Sequence, residues 1–272
     1  MPELPEVETL RRGLLPLVAN KVLRRIKFFR KDLRFPIPQK LLKDELLNTK
    51  INDITRRGKY LLLHTDTGAM IWHLGMSGRV IRQTSMRAVE KHTHAIFAFD
   101  QETYLHFVDP RRFGCILWAP KNEGHRLINN LGLEPLSEET TAENLKLLAR
   151  NCSVPIKSFL MDARRLVGVG NIYASETLFA ARVSPEKKAG KITLPIWKNI
   201  LAELRRILES SISAGGTTLN DFFSTEGEPG YYSVKLAVYG KEGQPCPRCG
   251  KPISRATRSG RSTFFCRACQ KK

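Results

Sequence analysis

The stretch CPRCGKPISRATRSGRSTFFCRAC, residues 246–269, sets Cys246 and Cys249 in one CxxC pair and Cys266 and Cys269 in another, with sixteen residues between the pairs. Two such knuckles across an insert of hairpin length have the spacing of a four-thiolate zinc ribbon. Gly250 follows the first knuckle, and Thr263 and Phe265 alternate as residues of a strand do. All four ligand positions are filled, so one structural zinc is expected, with no coordination site left for a reacting water. Paired disulfides or a redox CxxC are the competing reading, disfavoured in a chain that lacks a secretory signal. Cys115 and Cys152 read as reduced, partly buried thiols.

Working outward, the ribbon is strongly basic. From Lys241 to Lys272 nine Lys and Arg face Glu242 alone, a local charge of +8 within a chain whose 45 Lys and Arg exceed 26 Asp and Glu by 19. Such an excess points to a polyanionic partner, either nucleic acid or an acidic membrane surface. No run of eighteen apolar residues exists, and the cations are spread along the chain rather than gathered on one amphipathic helix. Nucleic acid is the expected partner and the cytoplasm the expected location.

Upstream of the ribbon the pattern is helical. Ala142 to Arg150, Val154 to Ala163, Ile172 to Ala181 and Leu194 to Ala214 carry apolar residues at three- and four-residue spacing. The two central helices are joined by RRLVGVG, residues 164–170, and Asn171 stands where an N-cap belongs. A helix pair around a glycine turn is either an ordinary hairpin or a docking unit whose backbone N–H groups hold phosphate. The glycine-bearing segment from Gly215 to Gly230 leads from these helices to the ribbon.

The first half reads as an opening helix followed by strands. Residues 60–64 and 69–74 flank a turn at Thr65 to Gly68, and residues 94–99, 103–108 and 114–118 continue the series. Short strands with polar turns at this spacing predict a β-sandwich. The expected divisions are 1–133, 134–240 and 241–272, the last two forming one helical and zinc-bearing half.

Three loops and the N-terminus carry unusual chemistry. The chain opens MPELPEVET, residues 1–9; removal of Met1 exposes the secondary amine of Pro2 beside Glu3. An α-amine titrates near pH 8 and is a competent nucleophile at neutral pH, although Pro and Glu here also suit a plain helix start. Lys59 follows Gly58 at the expected start of a strand, Met76 sits on the glycine-flanked tip LGMSG, and Arg111, Arg112 and Phe113 share the turn DPRRFG. Apolar tips beside guanidiniums suit wedges that enter a base stack while cations hold the backbone.

These motifs in this order resemble the bacterial formamidopyrimidine-DNA glycosylases, which also act on 8-oxoguanine. The resemblance spans essentially the whole chain and rests on PELPEVET, RGKY at 57–60, HLGMSG at 73–78, DPRRFG at 109–114, VGVGNIYA at 167–174 and the CxxC pairs. It implies an α+β protein of two domains, an N-terminal helix with a β-sandwich and then a helix-two-turn-helix domain ending in a four-cysteine zinc-finger hairpin. It further implies that Pro2 attacks the deoxyribose and displaces the damaged base, that Glu3 assists ring opening, that Lys59 acts in base release and β-elimination, and that Arg261 serves phosphate contact and δ-elimination. Met76, Arg111 and Phe113 match residues that fill the gap left by a flipped nucleotide. Arg112, His73, His92, Lys157 and Asn171 match backbone contacts, and the segment from Thr217 to Tyr232 matches a lid. Two departures from relatives are Arg150-Asn151-Cys152-Ser153, where clustered lysines are common, and Ala163, where Gln or Asn is frequent. The partner implied is damaged duplex DNA, bound by a monomer. Two rivals remain: an endonuclease VIII-like glycosylase for oxidised pyrimidines, and a non-catalytic zinc protein that binds damaged DNA.

Overall fold

A computed structural model of the chain describes residues 2–87, 89–100, 102–215, 236–258 and 260–271. The segment expected to act as a lid, 217–232, lies outside them. The chain divides into two compact units, one built on Met1–Asn130 and the other on Leu131–Ser213 with the C-terminal segment. The zinc-ribbon segment therefore belongs to the helical unit.

The first unit opens with α1 (Leu4–Val18), then β1 (Leu23–Phe28) and α2 (Gln39–Leu46). Strands β2 (Asp53–Arg57), β3 (Tyr60–His64), β4 (Gly68–His73) and β8 (Cys115–Pro120) form one antiparallel sheet in the order β2-β3-β4-β8. Strands β5 (Arg79–Gln83), β6 (Thr93–Phe99) and β7 (Thr103–Val108) join β1 in a second, ordered β1-β6-β7-β5. Inward residues of both sheets meet in one core, where Trp72 lies 5.0 Å from Phe97 and 6.1 Å from Phe107 between ring centroids. Val7, Leu10 and Leu14 of α1 enter the same core beside Ile54, Leu61 and Leu63. β4 is buried on both faces because Ile71 points away from Trp72 into a second apolar cluster with Cys115 and Leu117. Burial there pushes the Cys115 thiol up to about 12, which leaves it inert.

The expected sandwich is present, with β1, β2 and β5 added to the strands read from sequence. β1 escapes a sequence reading because LRRIKF carries Arg24, Arg25 and Lys27 on a strand whose inner face needs only Leu23 and partly buried Ile26 and Phe28. A short helix α3 (Arg126–Asn129) closes the unit.

The second unit contains α4 (Ala142–Leu148), α5 (Ile156–Leu160), α6 (Asn171–Ala180) and α7 (Leu194–Ser213), then β9 (Ser254–Arg258) and β10 (Arg261–Phe265). α5 is shorter than the expected span from Val154 to Ala163. Pro155 stands at its N-cap without an N–H, and the chain turns off after Leu160, with Asp162 donating its N–H to Phe159 O at 3.2 Å. Asn171 is not the N-cap of α6. Gly170 holds that place in an extended conformation, and Asn171 is the first helical residue, its amide drawn elsewhere.

Candidate active site and nucleic-acid interface

The start of α1 is fastened from within. Glu6 reaches back to accept the Glu3 N–H at 2.8 Å, one half of a capping box, and Pro2, Glu3 and Glu6 are all buried. Glu8 is the anchor of the next turn. Arg11, Arg12 and Arg56 donate to its carboxylate at 2.8–3.3 Å. Burial pushes Glu8 up, but the bonds from Arg11 and Arg12 and the charges of Arg11 and Arg56 outweigh it and hold the group down at about 2.

These ties set the register of helix on hairpin. Arg11 meets Ile54 O while Glu8 meets Arg56, so α1 and β2 run in opposite directions and the helix start lies toward the β2–β3 turn. From Glu8 back to Glu3 the helix rises about 7.5 Å, which matches about two strand residues. The start of α1 is therefore directed toward Gly58 and Lys59. Lys59 sits in that two-residue turn, one position before the strand start expected for it; Gly58 takes φ +58° there, as a tight hairpin needs. Arg56 also donates to Gly58 O at 3.0 Å, so one guanidinium ties the turn to Glu8 of the helix.

His73 pairs with Tyr60 across β4 and β3, next to Lys59. Burial first, then the charges of Lys59 and Arg34, pushes its imidazole down to about 3. The ring is neutral, and because Nδ1 accepts the Gly75 N–H at 3.0 Å the proton resides on Nε2, a fixed donor.

Two loops then meet. Met76 is half-buried on the turn after Leu74, while Arg111, Arg112 and Phe113 are exposed on the loop between β7 and β8, Phe113 at 45%. The Arg111 guanidinium lies 4.9 Å from the Phe113 ring centroid. Arg112 and exposed His92 both hold positive φ, +58° and +69°. Such backbone costs on the order of 1 kcal/mol for a residue with a Cβ.

In the second unit the four cysteine sulfurs lie within 4.8 Å of one another, with Cys246 and Cys269 at 3.9 Å and Cys249 and Cys266 at 3.5 Å. These separations exclude S–S bonds. A tetrahedral zinc with bonds near 2.3 Å sets its sulfurs about 3.8 Å apart, so the donor set fits one structural zinc. Phe179 of α6 packs on Cys246, Cys266, Val238 and Ile253, and Arg248 donates to Phe179 O at 2.7 Å.

The ribbon is joined to the helix pair by buried Lys157 and half-buried Asn171. Lys157 donates to Asn171 Oδ1 at 2.6 Å, to Thr263 Oγ1 at 2.8 Å and to Ser262 O at 3.1 Å, while Asn171 Nδ2 donates to the same Ser262 carbonyl at 3.0 Å. The ammonium expected to meet phosphate is thus engaged inside the unit. Arg261, exposed at the head of β10, lines with Lys157 and Thr263 an open cavity of about 240 Å³. Sequence reading missed Glu176, which accepts the backbone N–H groups of Ala237, Val238 and Tyr239 at 2.8–2.9 Å and so captures the chain as it enters the ribbon. It also missed the roles of Glu8, Arg56, Ser77 and Asp109. The pairings of Glu8 with Arg56 and of Ser77 with Asp109 span 48 and 32 residues, and no local pattern marks them.

A helix-headed β-sandwich, a helix pair on a glycine turn and a four-cysteine ribbon define a protein of the helix-two-turn-helix, zinc-ribbon class. Three family models match in series: the formamidopyrimidine-DNA glycosylase N-terminal domain over residues 1–116, the H2TH domain of the same enzymes over 131–223, and the zinc finger found in FPG and IleRS over 243–272. The chain belongs to the formamidopyrimidine-DNA glycosylase family, whose members are base-excision repair glycosylases and abasic-site lyases. It is 45% identical over 272 residues to the formamidopyrimidine-DNA glycosylase of Stenotrophomonas maltophilia strain K279a and 44% identical to that of Acidithiobacillus ferrooxidans strain ATCC 53993, all of each chain being covered. Among solved structures it resembles the MutM (Fpg) protein of Thermus thermophilus, with TM-score 0.88, 38% identity and 99% and 98% of the two chains covered. It also resembles Lactococcus lactis Fpg in complex with DNA containing an abasic site, with TM-score 0.90, 30% identity and 99% and 100% covered. No helix among the described residues is long and apolar enough to cross a membrane.

Proposed function

We propose that this chain, as a cytoplasmic monomer, removes oxidised purines such as 8-oxoguanine and formamidopyrimidines from duplex DNA and then cleaves the abasic strand. The reading is supported by the ties of Arg11 to Ile54 O and of Arg56 to Glu8 and Gly58 O, which direct the start of α1 toward the Lys59 turn. The Pro2 amine, freed by loss of Met1, attacks C1′ of the damaged nucleotide and the base departs with its bonding electrons, taking up a proton. Glu3 protonates the ring oxygen as the sugar opens, leaving a cationic iminium between Pro2 and C1′. The iminium acidifies C2′; loss of that proton expels the 3′-phosphate, and a second elimination expels the 5′-phosphate. Lys59 assists base release and the first elimination, and Arg261 the second.

Met76, Arg111 and Phe113 fill the vacated stack, with His73, His92 and Arg112 on the backbone. Lys157 and Asn171 serve the DNA face of the second unit by fixing the hairpin that carries Arg261. Borohydride reduction during turnover on an 8-oxoguanine duplex is expected to trap a covalent protein–DNA adduct, lost in Pro2→Gly. Absence of an adduct from protein whose intact mass shows Met1 removed overturns the lyase and favours a damage-binding protein. Faster release of thymine glycol than of 8-oxoguanine overturns the purine preference and favours the endonuclease VIII-like reading.

A further inference from the structure

Beneath the exposed tips lies a buried, polar joint. Asp109 is fully buried, and its two carboxylate oxygens serve two loops at once: Oδ1 accepts the Ser77 hydroxyl at 2.8 Å and Oδ2 accepts the Gly114 N–H at 2.8 Å. The Ser77 oxygen in turn accepts the Arg111 N–H at 3.1 Å. Asp109 O accepts the Arg112 N–H at 3.2 Å and His94 Nε2–H at 2.7 Å. The backbones interlock as well. A Cβ on Gly75, whose φ is +63°, would stand 2.4 Å from both Phe113 C and Gly114 N, and one on Gly114 would stand 2.6 Å from His73 O.

The loop that carries Met76 and the loop that carries Arg111 and Phe113 are therefore one rigid body with three projecting tips. Arg111 and Phe113 are exposed and Met76 half-buried, whereas Ser77 and Asp109 of the joint are buried. Buried, fully hydrogen-bonded side chains of this kind lock the groups above them.

We infer that Ser77 and Asp109 are positioning residues that hold Met76, Arg111 and Phe113 at one fixed spacing, and that this spacing sets discrimination of the base opposite the lesion. The inference rests on the reading of those three tips as the group that fills the vacated stack. A guanidinium that reads a base edge loses its selectivity when its backbone shifts, and a misplacement near 1 Å costs up to about 100-fold in rate.

The test is the ratio of 8-oxoguanine excision opposite cytosine to excision opposite adenine, measured for the full-length, zinc-loaded protein. Ser77→Ala is expected to lower that ratio about tenfold, and Ser77→Thr, which keeps the hydroxyl, to restore most of it. Borohydride trapping on single-stranded abasic DNA, which presents no opposite base, should stay within about twofold in Ser77→Ala. Where Ser77→Ala fails to fold, Asp109→Asn carries the test, since it preserves volume and one acceptor. If Arg111→Ala leaves the ratio unchanged, the reading of the tips fails and the inference with it. If Arg111→Ala lowers the ratio but folded Ser77→Ala and Asp109→Asn do not, the tips stand and the joint is overturned. Equal loss on duplex and single-stranded DNA would also overturn it, as general damage to the site.

Discussion

Gly75 shows how much a single residue decides at the loop joint. Its backbone lies in the left-handed region, and the space a Cβ would take is occupied by the backbone of Phe113 and Gly114, which no rotamer change can vacate. Gly75→Ala is expected to destabilise the protein by about 2–4 kcal/mol, measured as a shift in the denaturant midpoint. Phe113→Ala, at the exposed tip whose backbone packs on Gly75, should change stability by no more than about 0.5 kcal/mol while reducing lesion processing. At this scale the tips were legible in sequence, because an apolar residue beside arginines in a Pro- and Gly-bounded turn is chemically odd. Asp109 was not, because its meaning depends on Ser77, and nothing short of the folded loops brings that hydroxyl to its carboxylate.

Between elements, two carboxylates do what local pattern could not reveal. Glu8 fastens α1 to β2 through Arg56. Its pKa lies at about 2 in the fold against 4.5 unfolded, so the stability it supplies is complete above pH 4.5 and is lost as pH falls from 4.5 toward 2. Glu8→Gln should therefore lower stability at pH 7 and flatten its pH dependence between pH 4.5 and 2. The loss is on the order of 2 kcal/mol after allowance for solvent screening, readable from denaturant curves at each pH. Glu176 performs the matching task in the second unit. Glu176→Ala should raise amide hydrogen exchange at Ala237, Val238 and Tyr239 by at least about tenfold, since charge-assisted bonds to backbone N–H are worth more than about 1.5 kcal/mol; unchanged protection would remove Glu176 from that role. Helix spacing predicted α6 and α7 nearly to the residue. It overran α5, where Pro155 and the turn after Leu160 stop what the apolar spacing would continue.

Across the whole molecule the charge of +19 and the two compact units define the division of labour. Cys249→Ser, or removal of zinc by a chelator, should weaken binding to an abasic-site duplex by at least about 100-fold, the scale on which ribbon folding depends on its metal. In a Trp197→Phe background, which removes the second unit's tryptophan, fluorescence from Trp72 and Trp118, both in the first unit's core, should stay unchanged. Loss of that core signal on zinc removal would show that the units do not fold independently. Residue chemistry that acts over a few positions could be read along the chain: the thiolate spacing, the amine of Pro2 beside Glu3, the strand alternation, the excess of cations. What no linear reading reached was the set of polar pairings that span the chain, namely Glu8 with Arg56, Ser77 with Asp109, Lys157 with Thr263 and Glu176 with the ribbon's entry. Hydrophobic periodicity repeats along the sequence and announces itself, whereas a buried hydrogen bond joins two residues that carry no mark of each other until packing brings them within about 3 Å and excludes water.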